Sequence, residues 1–255
     1  MKFYILTKRN LITIFTCLLL GTATLMTCVF STSKAITTAS TNRVIPIYSV
    51  EQTEKICSIS FDAAWGNEQT ETLLDILDQY KVKTTFFLVG EWVDKFPDSV
   101  KEIAKRGHDV GNHGDTHSHM TQQSDETIIQ ELKSCNEKIE KLTEKSPTLF
   151  RPPYGDYNNN VVNCVMGLDM YCVQWNIDSL DWKDPSVDQI VQNCTSKLQP
   201  GSIILLHNGA TNTPEALPKI IEAIQGQGYK IVPISEILLK GKYTTDVQGI
   251  MHTSQ

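Results

Sequence analysis

The chain predicts an α/β fold built on a mostly parallel sheet, open or closed into a barrel. Three observations carry this. From about Val50 to Lys240, short β-branched or aromatic runs alternate with helical patterns, which places helices against the faces of a parallel sheet. About seven such runs occur, with no internal sequence repeat. The residues able to do chemistry sit just after these runs, and that end of a parallel sheet is where sites are built.

The first run, Lys55 to Phe61, reads as a strand, and Glu68 to Tyr80 as a helix capped by Asn67 with Leu73, Leu74, Ile76 and Leu77 as its buried face. Thr84 to Val89 is the next strand. A helix over Asp98 to Lys105 starts behind Pro97 and stops at Gly107. His108 to Val110 forms a short strand. Ser124 caps a long helix whose apolar positions Ile128, Leu132, Cys135, Ile139 and Leu142 repeat at helical spacing. Thr148 to Phe150, Met170 to Trp175, Ser202 to Leu206 and Lys230 to Val232 supply further strands, separated by helices around 158–167, 186–198 and 214–225. The chain therefore divides into an N-terminal segment (1–35), a Ser/Thr-rich linker (36–50), one domain (51–240) and a polar tail (241–255) expected to be loosely ordered.

Composition narrows the function. A net charge of −6 gives no surplus of cations to neutralise a phosphate backbone, so nucleic acid is not an expected partner. Leu11 to Phe30 carries no charge and is long enough to cross the roughly 30 Å hydrocarbon layer as a helix. Lys2, Lys8 and Arg9 precede it, which by the positive-inside rule leaves the domain on the extracytoplasmic face of a single-pass membrane protein. Ser33-Lys34-Ala35 offers a cleavage site, so secretion after signal removal is the alternative. Five of the seven cysteines lie in the domain without a C-x-x-C pair; they read as small buried apolar residues. A monomer is expected.

Four of the six histidines (His108, His113, His117 and His119) fall within one short stretch. Imidazole is the commonest ligand for borderline metals, and His113 and His117 stand four apart. Other motifs surround this pair in the chain: Ser60-Phe61-Asp62-Ala63-Ala64-Trp65-Gly66, Arg151-Pro152-Pro153-Tyr154-Gly155, Asp178-Ser179-Leu180-Asp181-Trp182 and Leu205-Leu206-His207-Asn208. In this order the pieces resemble the five motifs of the polysaccharide deacetylase family, carbohydrate esterases with a NodB-type domain. The resemblance spans about residues 52–240. The F-D-x-x-W-G opening looks most like the sporulation-type members.

That resemblance implies a distorted (β/α) barrel with a divalent metal, usually zinc, with cobalt or manganese as alternatives. It implies hydrolysis of acetamide groups on N-acetylated glycan of the peptidoglycan or chitin kind. His113 and His117 would be metal ligands and Asp62 the general base, paired with Arg151. The Tyr154 backbone N–H would hold the oxyanion. His207 would be the general acid, oriented by Asp181, with Asp178 as the other candidate for that task. Tyr154, Trp182 and Leu205 would contact the sugar. Trp65, Trp92 and Trp175 read as core.

The sequence departs from the family at one ligand. The first motif normally carries two consecutive aspartates, the second binding the metal, and here that position is Ala63. Asp115, His119 or a water would have to substitute. Two further readings stand beside the deacetylase: a pseudo-deacetylase that binds glycan without hydrolysing it, and a hydrolase of some other acetylated or amide substrate.

Overall fold

The computed structural model describes residues 43–254 together with Lys8, Phe15 and Thr16. Nearly all of the predicted membrane segment over 11–30 and residues 36–42 of the linker lie outside the described residues. Among the described residues no helix is long and apolar enough to cross a membrane.

The strands are β1 (Ser49–Val50), β2 (Ile56–Ala63), β3 (Thr85–Leu88), β4 (Asp109–Asn112), β5 (Leu149–Phe150), β6 (Tyr171–Cys172), β7 (Ile177–Asp178), β8 (Ile203–His207), β9 (Lys230–Ile231), β10 (Tyr243–Thr245) and β11 (Ile250–Thr253). The main sheet runs β6-β5-β4-β3-β2-β8-β7 with every pairing parallel, and β9 pairs with the start of β2. This is the predicted parallel sheet, curled into a half-barrel.

The helices are α1 (Thr70–Gln79), α2 (Gly90–Lys95), α3 (Pro97–Lys105), α4 (Asp125–Thr143), α5 (Asn159–Met166), α6 (Val187–Thr195), α7 (Thr213–Gly226) and α8 (Ile234–Ile237). Ser124 caps α4 as expected, its hydroxyl accepting from the Thr127 N–H. Asn67 does not cap α1, which starts later, behind Gln69. Its carboxamide instead accepts from the Thr70 and Ser99 hydroxyls and ties α1 to α3. Helix α2 was not expected. It is one and a half turns long, too short to show a helical period, and is fixed by burial of Trp92 and Val93.

The strand period explains where the core lies. On β2, Cys57, Ile59, Phe61 and Ala63 face one way into the apolar cluster that holds Leu73, Leu77, Ile220 and Ile224 of the helices. Ser58, Ser60 and Asp62 alternate with them and are also buried. The two serine hydroxyls donate to the Val232 and Ile204 carbonyls at 2.7 and 2.8 Å, so their burial leaves no unmet polar group. All five cysteines of this region are free thiols and four are buried, with burial pushing the Cys57 thiol up to about 12.

Two predicted boundaries move. Residues 44–50, assigned to the linker, belong to the fold: Ile47 is buried, bridges Val173 beside β6, and exchanges backbone hydrogen bonds with Cys172 and Gln174. Val50 donates to the Gly201 carbonyl before β8. The tail from Gly241 is likewise folded. Strands β10 and β11 form a sheet with β1, and Met251 is fully buried. His252 bridges Glu51 at 2.9 Å and Asp246 at 3.4 Å. The tail's polarity misled because only one face of this small sheet is covered. The Met251→Ala substitution is accordingly expected to destabilise the domain by about 2–5 kcal/mol, as for a buried methionine. Urea denaturation checks it, and a loosely ordered tail would show no change.

Candidate active site

The strand ends bring the predicted residues to one cleft. It has a volume of about 500 Å3 and is lined by Asp62 on β2 and Trp65 after it, His113 and His117 after β4, Tyr154 and Gly155 after β5, Trp175, Asp178 and Trp182 around β7, and Leu205 and His207 of β8. Three of the connecting loops hold a non-glycine residue with positive φ: His117 (55°), Tyr154 (59°) and Leu180 (56°). Left-handed backbone is unfavourable for such residues and clusters at functional sites, where surrounding contacts hold it. At Leu180 the holding contact is its N–H donating to Asp178 Oδ1 at 2.8 Å.

Asp62 and Arg151 form the floor. Both are buried, and Arg151 Nη1 donates to Asp62 Oδ1 at 2.7 Å. Arg151 Nη2 donates to the Gln174 carbonyl at 3.1 Å, and the guanidinium lies 4.1 Å from the centre of the Phe87 ring. Burial alone would raise the Asp62 pKa. The charges of Arg151, His113 and His207, with the Arg151 hydrogen bond, outweigh it and hold the carboxyl below the usual range. Asp62 is therefore ionised at neutral pH, with Oδ2 3.4 Å from His113 Nε2.

His207 and Asp181 form a second pair. Asp181 Oδ1 lies 2.7 Å from His207 Nδ1, and Oδ2 accepts from the His207 backbone N–H at 2.8 Å and the Thr213 hydroxyl at 2.7 Å. An ionised carboxylate only accepts, so His207 Nδ1 carries the proton and Nε2 is left for the cleft. Burial would lower the His207 pKa, but Asp181, with Asp62 and Asp178 behind it, raises it. Asp181, and not Asp178, is the orienting carboxylate. Asp178 is occupied by the Leu180 N–H and by Trp175 Nε1 at 3.3 Å.

The two histidines expected to hold a metal are close, with ring centres 5.0 Å apart. His113 Nδ1 lies 2.7 Å from the Arg151 carbonyl. That carbonyl can only accept, so Nδ1 donates and Nε2 is free to bind. Burial lowers the His113 pKa, and burial with the neighbouring His113 brings His117 to about 4. Both shifts favour the neutral ring, the state a ligand needs.

The third donor is missing. Ala63 packs into the apolar cluster under the helices. Asp115 turns away, 2.7 Å from Lys138 Nζ and accepting from the Ser134 hydroxyl at 2.9 Å. His119 stacks on Tyr154 at 4.2 Å between ring centres and faces Asp156 at 3.4 Å. Among the described residues no group of three or more His, Cys, Asp or Glu could hold a metal ion. Catalytic zinc ordinarily takes three protein ligands and leaves a position for water. The donor set supplies the imidazole half of such a site and does not fit the whole of it.

Trp182 and Leu205 line the cleft as expected, and Tyr154 and Trp182 are 60% and 51% exposed. Two further residues escaped the sequence. Trp65, read as core, is 46% exposed and lies beside His207. Trp175, also read as core, lines the cleft. The signal for Trp65 was its place immediately after a strand and before Gly66. Thr213, thirty-two positions from Asp181, gave no sequence signal.

Comparison with known proteins agrees with this geometry. A family model described as polysaccharide deacetylase matches residues 49–173. A Bacillus cereus peptidoglycan-N-acetylglucosamine deacetylase is 36% identical over 196 residues, covering 75% of this chain and 92% of that protein. The uncharacterized protein YlxY of Bacillus subtilis is 34% identical over 193 residues, 76% of this chain, which spans only 60% of that protein's length. The solved structure of a CE4 family pseudoenzyme from Bacillus anthracis superposes with a TM-score of 0.73 at 36% identity, over 75% of this chain and 68% of that one. A mutant of it with restored enzymatic activity superposes with the same TM-score at 37% identity, over 75% and 70%.

Two outcomes test the site. Arg151→Met strands a buried carboxylate and is expected to cost about 3–5 kcal/mol in urea denaturation, much of it recovered on adding Asp62→Asn. Ala63→Asp puts a carboxylate against the apolar core, so the melting temperature of the metal-free protein should fall. Zinc should reverse that fall and bind at least ~10-fold more tightly than to the wild type, by titration calorimetry. If zinc changes neither quantity, position 63 is not the missing ligand.

Proposed function

Since the chain belongs to the polysaccharide deacetylase family, we propose that it hydrolyses N-acetyl groups on N-acetylated cell-wall polysaccharide, of the peptidoglycan or chitin kind. The observation that carries this is the pair of separately held proton-transfer groups, Asp62 on Arg151 and His207 on Asp181, facing one cleft. A binding module has no use for an ionised base and an oriented imidazole.

In this reading Asp62, kept ionised by Arg151, accepts a proton from the attacking water through Oδ2. The Tyr154 backbone N–H faces the oxyanion that forms at the amide carbon. His207, with Nδ1 fixed on Asp181, delivers the Nε2 proton to the departing amine. Trp182, Leu205 and the Tyr154 ring contact the sugar. The metal-dependent form of the reaction, with zinc, cobalt or manganese on His113 and His117, calls for a donor these two histidines do not supply.

The address proposed for this activity is the extracytoplasmic face, where the wall polymer lies. It is supported by the uncharged Leu11–Phe30 stretch behind Lys8 and Arg9. The resemblance to sporulation-type members supports a role during sporulation.

A glycan-binding pseudo-deacetylase is the second reading, favoured by Ala63 alone. Acetate release from N-acetylated peptidoglycan and chitooligosaccharide separates the two. The enzyme releases acetate, and release should fall at least ~10²-fold in Asp62→Asn, as for a lost general base. Glycan binding without acetate release, with zinc, cobalt or manganese supplied, establishes the pseudo-deacetylase instead.

The pH profile tests the acid. With the His207 pKa raised above 6.5, the upper limb of kcat/KM should fall only at a pH above that value. Asp181→Asn removes the hydrogen bond and charge that raise the His207 pKa most and leaves burial opposed only by Asp62 and Asp178, so the upper limb should move down in pH. An unmoved limb would dismiss His207 as the acid.

A further inference from the structure

Trp65 is assigned no role by the family motifs, yet its surroundings are built. The loop that carries it is pinned on both sides. The Ala63 carbonyl accepts from the Val89 N–H at 3.1 Å. The Gly66 carbonyl, at a glycine with φ of 64°, accepts from Trp92 Nε1 at 2.6 Å and from Asn208 Nδ2 at 3.5 Å. The indole then lies back against Gly209. A Cβ at that glycine would meet the Trp65 carbonyl at 2.6 Å and the indole Nε1 and Cδ1 at 2.7 and 2.8 Å. Gly209 is thus the residue that lets the ring sit where it does.

The indole reaches His207. Their ring centres are 5.3 Å apart with planes inclined by 30°, within the range of favourable tilted aromatic contacts. His207 is therefore held from two directions, by Asp181 at Nδ1 and by Trp65 against a ring face. The rest of Trp65 stays 46% exposed in the cleft. A buried indole would be core. A half-exposed one, clamped between two pinned segments and laid against the cleft's imidazole, has a place in the site.

We propose that Trp65 is a positioning residue for His207: it keeps the imidazole in register with Asp181, screens that hydrogen bond from water, and presents its outer face to the substrate. The last part rests on the deacetylase reading, whereas the first two do not. Screening matters because a hydrogen bond held away from water is electrostatically stronger. A ring that cannot rotate keeps Nε2 aimed at one point, and misplacement of a reacting group by about 1 Å can cost ~10²-fold in rate.

The test measures His207 directly. In proton NMR at low temperature, the Nδ1–H resonance of His207 should exchange slowly with water in the wild type. Trp65→Ala should speed that exchange at least ~10-fold, and Trp65→Phe, which keeps a ring, should restore most of the protection. Backbone amide spectra of each variant establish that the fold is kept. Unchanged Nδ1–H exchange in Trp65→Ala would overturn the proposal, and so would equal exchange in the Ala and Phe variants. Where acetate release is measurable, Trp65→Ala should lower kcat by more than it raises KM. A change confined to KM would reduce Trp65 to a sugar contact and overturn its positioning role. If no acetate is released by the wild type, the deacetylase reading fails, and the exchange measurement still decides what Trp65 does.

Discussion

The buried ion pair between Asp62 and Arg151 is the constraint from which the site is built. A guanidinium and a carboxylate taken out of water lose far more hydration than one salt bridge returns, unless their remaining groups are also satisfied. Here Arg151 places one nitrogen on Asp62 and another on the Gln174 carbonyl and lies against the face of Phe87, while its buried Nε donates to no described residue. Its own carbonyl receives His113 Nδ1. One residue on the loop after β5 thus fixes the ionisation of the carboxylate on β2 and the orientation of the first histidine after β4. Three strands of the sheet must be in register for that to hold.

The second constraint is built from different residues. Asp181 takes three donors, two from His207 at the end of β8 and one from α7, and so locks His207 in place beside Asp62, its partner across the β2–β8 pairing. The two pairs shift in opposite senses: Arg151 lowers the Asp62 pKa, while Asp181 raises that of His207. Environments that drive paired titratable groups apart are the mark of an acid–base site. The folded framework offsets the cost of left-handed residues in three cleft loops.

Against these two intact pairs stand two neighbouring imidazoles, His113 and His117, without a third donor among the described residues. The same fold carries both named peptidoglycan deacetylases and a named pseudoenzyme, so fold and motif order do not by themselves separate the two outcomes. The difference is local, in what one small buried residue at the end of β2 can donate. Retention of Asp62, Arg151, Asp181 and His207 together, each with its supporting contacts, is what favours chemistry in this chain.

By itself the sequence determined the parallel α/β sheet, the order of its long elements and the five motifs. Strand and helix periods are local, and a parallel sheet gathers the residues beyond its strand ends on one side. It also marked Ala63, since a missing ligand is a matter of side-chain chemistry alone. Only the tertiary structure decided what depends on distant partners. It chose Asp181 over Asp178 because Thr213 and His207 converge on one carboxylate and not the other. It turned Asp115 away from the histidines toward Lys138 on α4. It folded residues 44–50 and 241–254 together through a sheet whose strands lie some two hundred positions apart, a pairing that no local period records. And it lifted Trp65 from the core into the cleft, because where a tryptophan lies depends on what packs against it, here a glycine far along the chain.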